Sequence, residues 1–170
     1  MDYLHYQRKL NDVITKCHIE AGVEILVYNL IDEFINVELY SLVDINRLQL
    51  DRDPRLTTDG GMSDIAVLSS NFEYCSTLGK VYGFIEVKAA SVSILKVSPQ
   101  AAKQMKKVSH FIYTNGIVWK YFFNQQPTWE VNLSANKIQN ATMAIKIDSV
   151  AFDDLKHKLS RIPWDSSIPM

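Results

Sequence analysis

Three charged side chains set inside two short apolar runs constrain this chain more than any other feature. The first run is Ser63-Asp64-Ile65-Ala66-Val67-Leu68, and the second is Val81-Tyr82-Gly83-Phe84-Ile85-Glu86-Val87-Lys88. Both are rich in β-branched and aromatic residues, the signature of buried strands. A charge buried in such a run is costly unless it is paired or holds a metal. Strand side chains alternate faces, so Glu86 and Lys88 point one way and Val87 the other. An antiparallel hairpin centred on Cys75 sets Leu68 opposite Tyr82, Ala66 opposite Phe84 and Asp64 opposite Glu86. Opposed Cβ atoms lie about 4.5–5.5 Å apart. Two carboxylates that close repel unless a cation lies between them or one is protonated. A hard divalent ion such as Mg²⁺ accepts one or two carboxylates and completes its shell with water and phosphate. A lysine beside it can hold a phosphate oxygen or orient an attacking water. The residues alone thus point to a divalent-metal site for phosphodiester cleavage. The competing reading is an exposed edge hairpin whose charges face water.

Charge distribution sharpens the first reading. The 170 residues carry a net charge of −1, with 47% hydrophobic and 22% charged residues, an ordinary globular balance. Residues 1–79 are nevertheless strongly acidic, whereas residues 80–120 hold seven lysines against Glu86 alone. A lysine-rich segment beginning at the site is what a phosphate-backbone footprint needs; a solvated helix face accounts for the same lysines equally well. Cys17 and Cys75 are too few for a disulfide framework, and no CxxC pair suggests zinc. His5, His18, His110 and His157 lack metal-ligand spacing. The chain shows neither a membrane-length apolar run nor a secretion-signal pattern, so a cytoplasmic location is expected.

The remaining pattern is α/β. Residues 2–20 read as a helix with Leu4, Leu10, Val13, Ile14 and Cys17 as its apolar stripe. Ala21-Gly22 marks a break or bend, and a second helix runs roughly from Val23 to Ile35. Its apolar positions are Ile25, Leu26, Leu30, Phe34 and Ile35, with Glu24 off that face. Residues 36–50 suit an edge strand or a helix. Residues 51–61 read as loop and turn, ending in Gly60-Gly61 just before Asp64. Ser98-Pro99 starts a helix that reaches about Val108, with Ala101, Met105 and Val108 inward and Gln100, Lys103, Gln104 and Lys107 outward. His110–Thr114 and Ile117–Phe123 form a hairpin around Asn115-Gly116. The aromatic residues Tyr113, Trp119, Tyr121, Phe122 and Phe123 suit a core better than base stacking. Trp129–Leu133 is a further strand, 134–144 a polar loop, and Ile145–Ile147 one more strand. A closing amphipathic helix spans Phe152 to Ile162, before Pro163.

This order resembles the PD-(D/E)xK nuclease superfamily, and in particular the N-terminal nuclease domain of type I restriction enzyme R subunits. Gly61-Met62-Ser63-Asp64-Ile65-Ala66-Val67-Leu68 is similar to that family's aspartate strand, and Phe84-Ile85-Glu86-Val87-Lys88-Ala89 to its Glu-x-Lys strand. Thr114-Asn115-Gly116-Ile117-Val118-Trp119 is similar to a Thr-Asn-Gly-x-x-Trp signature that follows. The matches span roughly residues 20 to 125. The resemblance implies a restriction-endonuclease-like core, a central mixed β-sheet flanked by helices on both sides. It implies a single domain over 1–170, with its core at about 20–133.

It also implies Mg²⁺-dependent hydrolysis of DNA, with Mn²⁺ able to substitute. Asp64, Glu86 and the main-chain carbonyl of Val87 would bind metal, and Lys88 would position or activate water. Glu24 stands where relatives place an auxiliary carboxylate, with Glu20 an equal candidate. Gln104, with Gln100 its rival, corresponds to a glutamine on the helix after the Glu-x-Lys strand. Lys103, Lys106 and Lys107 are candidates for DNA contact. The chain departs from the family pattern at Ser63, where relatives have proline, and at Val108, where some have tyrosine. R subunits carry helicase motor domains, which 170 residues cannot hold, so a restriction or helicase partner subunit is an expected partner, and a homodimer another. The alternative function is a catalytically silent nuclease-fold module that binds nucleic acid or a protein partner.

Overall fold

A computed structural model describes residues 1–46, 52–135 and 144–166. Most of the predicted polar loop at 134–144 and residue 51 of the earlier loop lie outside these residues. The middle layer is one mixed sheet of six strands, β1 (Tyr40–Asp44), β2 (Ile65–Ser69), β3 (Val81–Val87), β4 (His110–Thr114), β5 (Val118–Phe123) and β6 (Gln126–Asn132). They lie side by side in chain order. β3 and β4 run parallel, and every other neighbouring pair runs antiparallel. A parallel pair needs a crossover, and helix α3 (Pro99–Met105) lies within it.

Strand alternation feeds two cores. Ile65, Val67, Ile85, Val87, Ile112, Trp119 and Tyr121 pack on one face against helices α1 (Tyr3–Asp12), α2 (Glu20–Asp32) and α4 (Ser149–Leu159). Ala66, Leu68, Phe84, Phe111, Tyr113 and Phe122 pack on the other against Ala101 and Met105 of α3. Helices therefore cover both faces, and β2 to β4 read as unbroken apolar runs because neither face meets water. Ser98 caps α3 by accepting the Ala101 N–H, and Asp148 caps α4 through Val150 and Ala151. Among the described residues no helix is long and apolar enough to cross a membrane, and neither Cys17 nor Cys75 is in a disulfide.

Several expectations need correction. The hairpin centre is right, with Ala66 opposite Phe84, but a bulge after Val67 sets Leu68 opposite Val81 rather than Tyr82. The N-terminal helix breaks at His18, not at Ala21-Gly22. A π-helical turn at Val13–Cys17 leads to His18 with φ 32°, and both Ala21 and Gly22 lie inside α2. Tyr6 replaces Leu4 and Cys17 in the buried stripe, because its hydroxyl donates to the Gly116 carbonyl oxygen at 2.7 Å. In α2 the buried face is rotated: Ile25 is exposed and Glu24 is buried. Residues 40–44 form the edge strand β1, with Tyr40 and Leu42 inward. Helix α3 stops at Met105, and Gln104 points inward rather than outward.

At the β4–β5 turn, Asn115 N–H bonds the Val118 carbonyl, which moves the tip to Gly116-Ile117. Gly116, with φ 79°, occupies the first central position, where a positive φ favours glycine. Asn115 instead acts as a bracket. Its Oδ1 accepts from Ile117 and Val118, and its Nδ2 donates to the Val92 carbonyl. Ile147 makes a single bridge to Ser134 rather than a strand.

Candidate active site

The site forms where β2 begins and β3 ends. The Thr58–Gly61 turn delivers the chain to β2. A Cβ on Gly60 would stand 2.5 Å from the Gln100 carbonyl oxygen, so only glycine lets this turn pack on α3. Two residues on, the Met62 carbonyl accepts the Gln104 side-chain amide at 2.9 Å, tying the entrance of β2 to α3. Continuing the Ile65–Ile85 register by one residue sets Asp64 opposite Glu86. The Val87 N–H donates to Asp64 Oδ2 at 2.6 Å. Lys88 turns back so that its Nζ donates to Glu86 Oε1 at 2.7 Å.

Both carboxylates are nearly sealed, Asp64 at 5% and Glu86 at 1% exposure. Burial pushes the Asp64 carboxyl up to about 8, the charges of Glu86 and Glu24 push the same way, and the Val87 N–H opposes them. Burial also raises Glu86, opposed by the Lys88 ammonium and the neighbouring Gln104 amide. Burial disfavours the Lys88 charge, but the hydrogen bond to Glu86 and the surrounding carboxylates outweigh it, so its net shift is upward.

Helix α2 brings two further carboxylates. Glu24 is buried, raises Asp64 by its charge, and accepts Asn46 Nδ2 at 3.3 Å. Glu20 accepts the Ala89 N–H at 3.2 Å and lies 4.0 Å from Lys88 Nζ. The two candidates thus divide the site: Glu24 adjoins Asp64, and Glu20 adjoins Lys88. Gln104 is fully buried beside Glu86, while Gln100 lies exposed on α3. Lys103 on α3 and Lys106 and Lys107 just past its end are exposed, and Lys107 Nζ donates to the Pro54 carbonyl at 3.0 Å. Asn46 was not among the expected residues. It lies within the ambiguous 36–50 stretch, and no local pattern marks a residue whose role is to touch Glu24.

Four buried side-chain polar atoms among the described residues lack a hydrogen-bond partner, and three of them belong here: Ser63 Oγ, Glu86 Oε2 and Gln104 Oε1. Buried polar atoms are normally satisfied. Two of these three can only accept, so they call for a cation or for donors brought by its water shell. No three His, Cys, Asp or Glu side chains among the described residues group closely enough to cage an ion. The donor set of two carboxylates with nearby carbonyl and amide oxygens fits Mg²⁺, which keeps most of its water and takes one or two carboxylates.

No family model matches the chain, and no curated protein matches it. Among solved structures, the chain is similar to one in the cryo-EM structure of a DrdV–DNA complex. The TM-score is 0.56 at 13% identity, and the match covers 92% of this chain and 93% of that one. The two chains share the α/β fold. The neighbour was solved with DNA.

Proposed function

We propose that this chain is a metal-dependent DNA endonuclease domain of the PD-(D/E)xK type, similar to the nuclease module of type I restriction R subunits. The observation that carries the reading is the pairing of Asp64 and Glu86, two buried carboxylates whose charges repel, beside Lys88 and three unpartnered oxygens. The shared fold with a DNA-complexed chain supports DNA as the substrate, and the exposed Lys103, Lys106 and Lys107 at the end of α3 offer it phosphate contacts. Asp64, Glu86 and the Val87 carbonyl would hold Mg²⁺. The bound ion would supply charge neutralisation at the phosphoryl oxygens and acidify the attacking water.

The protein groups do the rest. Lys88, held by Glu86 and Glu20, places a fixed positive charge next to the carboxylates, where it orients the water or meets a phosphate oxygen. Gln104 braces Glu86 and, through Met62, the entrance of β2. Glu24 adds negative charge beside Asp64 and strengthens attraction for a cation. A restriction or helicase subunit, or a second copy of this chain, would supply what a double-strand cut requires beyond one site.

Purified protein with Mg²⁺ or Mn²⁺ should nick or cut supercoiled plasmid. Lys88→Ala should lower the rate about 10²-fold or more while leaving the unfolding midpoint near wild type. Equal cutting by wild type and Lys88→Ala would sink the reading. The second reading is a silent module, favoured by the direct Lys88–Glu86 ion pair, which must loosen before either group serves chemistry. DNA binding without cleavage under any divalent ion would select it.

A further inference from the structure

At the opposite edge of the sheet, a cavity of about 390 Å³ opens between β5, β6 and the end of α4. Tyr121, Phe123, Trp129 and Ile162 form its apolar lining, and His157, Lys158 and Arg161 form its basic part. Tyr121 aligns with Ile112, and Phe123 with His110; on β3 these rows continue to Ile85 and Gly83, whereas Glu86 lies in the row of Tyr113. The cavity is also two to three strands across from β3, on the order of 10–15 Å at ordinary strand spacing. It is therefore distinct from the carboxylate site.

The volume lies in the range of small-molecule sites, which are mostly apolar with a few placed polar groups. Trp129 packs on Tyr121 with ring centres 5.3 Å apart and is only half-buried. Lys158 is engaged by Asp154 at 2.6 Å. Among the described residues no side chain pairs with Arg161 or His157. The negative end of the α4 dipole accounts for basic residues in its last turn, Lys156, His157 and Lys158. Arg161, one residue past the C-cap at Ser160, shares that field, but it is exposed at the cavity with no carboxylate partner among the described residues, and the half-buried Trp129 indole lies beside it on the same cavity. A planar aromatic surface next to an unpaired guanidinium suits a ligand that carries both a flat ring and an anion.

We propose that this cavity binds a phosphorylated nucleoside, the base against the Trp129 indole and the phosphate on Arg161 and His157. The same chemistry is offered by a free mononucleotide and by an unpaired nucleotide within a single strand. Tryptophan fluorescence of the full chain, without divalent metal, can be titrated with adenosine monophosphate, adenosine, inorganic phosphate and a short oligothymidylate. Adenosine monophosphate should quench the signal saturably, and adenosine and phosphate should each bind more weakly. Arg161→Gln, an exposed change, should weaken binding by about tenfold or more, and Trp129→Leu should remove most of the quench.

Oligothymidylate binding tighter than adenosine monophosphate, and equally sensitive to Arg161→Gln, would identify the strand as the source. Weaker binding would identify the free nucleotide. Asp64→Asn should leave this binding unchanged, which separates its outcome from that of the cleavage assay. Unaltered affinity in Arg161→Gln, or adenosine binding as tightly as adenosine monophosphate, overturns the proposal.

Discussion

Asp64 shows how a residue that is unfavourable in the isolated fold can be the one on which a proposed chemistry rests. Its carboxyl is raised from 3.8 to about 8, first by burial and then by Glu86 and Glu24. The folded protein therefore prefers the neutral acid. The stabilisation this gives is fully present below the unfolded value near 3.8 and is lost as pH rises through about 8. Metal-free protein should accordingly lose on the order of a few kcal/mol of stability between pH 5 and pH 9, read by urea unfolding. Asp64→Asn should flatten that slope. Added Mg²⁺ should stabilise wild type more at pH 8 than at pH 5, because a ligand must shed its proton to bind a cation. A slope that survives in Asp64→Asn would assign it elsewhere. The three principal residues were legible because a charge inside an apolar run is conspicuous. Glu24 was legible only as a possibility. Helical periodicity placed it off the buried face, while the packing of α2 on the sheet turned that face toward Asp64.

At the scale of elements, strands were read more faithfully than helices. β2, β3 and β4 are covered on both faces, so local composition alone marks them. The bulge after Val67 and the π-helical turn at Val13–Cys17 left no trace in composition, since each resolves a fit between neighbouring elements. Gln104 was misplaced for a related reason. A seven-residue helix has under two full turns facing the sheet, and its polar residue is drawn inward by Met62 and Glu86. The β4–β5 turn shows the converse case. Asn-Gly was correctly seen as a turn, but the asparagine brackets the neighbouring chain instead of forming the tip. Asn115→Ala deletes three hydrogen bonds and leaves buried groups unpaired, so it should lower stability by about 2–3 kcal/mol, measured by chemical denaturation. Hydrogen exchange should rise across residues 89–97, the segment that Asn115 holds through Val92. Stability within error of wild type would show that water replaces these bonds.

The whole molecule divides along the single parallel seam between β3 and β4. Strands β1 to β3 form one antiparallel meander and β4 to β6 another, and one covalent connection, residues 88–109, joins them. Asp64, Glu86, Lys88, Glu20 and Glu24 all belong to the first part. Gln104, the lysines at the end of α3 and the Trp129–Arg161 cavity all belong to the second. Leu95 and Lys96 lie exposed on the connection, where a break in the chain disturbs little. The molecule is in this sense already a two-piece device. Fragments 1–95 and 96–170, expressed together, should assemble through the β3–β4 ladder and the two cores, and should elute as one particle of about the intact mass of 19.5 kDa. Neither fragment should cut DNA by itself, since 96–170 lacks the carboxylates and 1–95 lacks the Gln104 brace for Glu86. Cleavage would then report that two separate polypeptides have met, which makes the seam a natural place to put the proposed activity under the control of any pair of proteins fused to its halves.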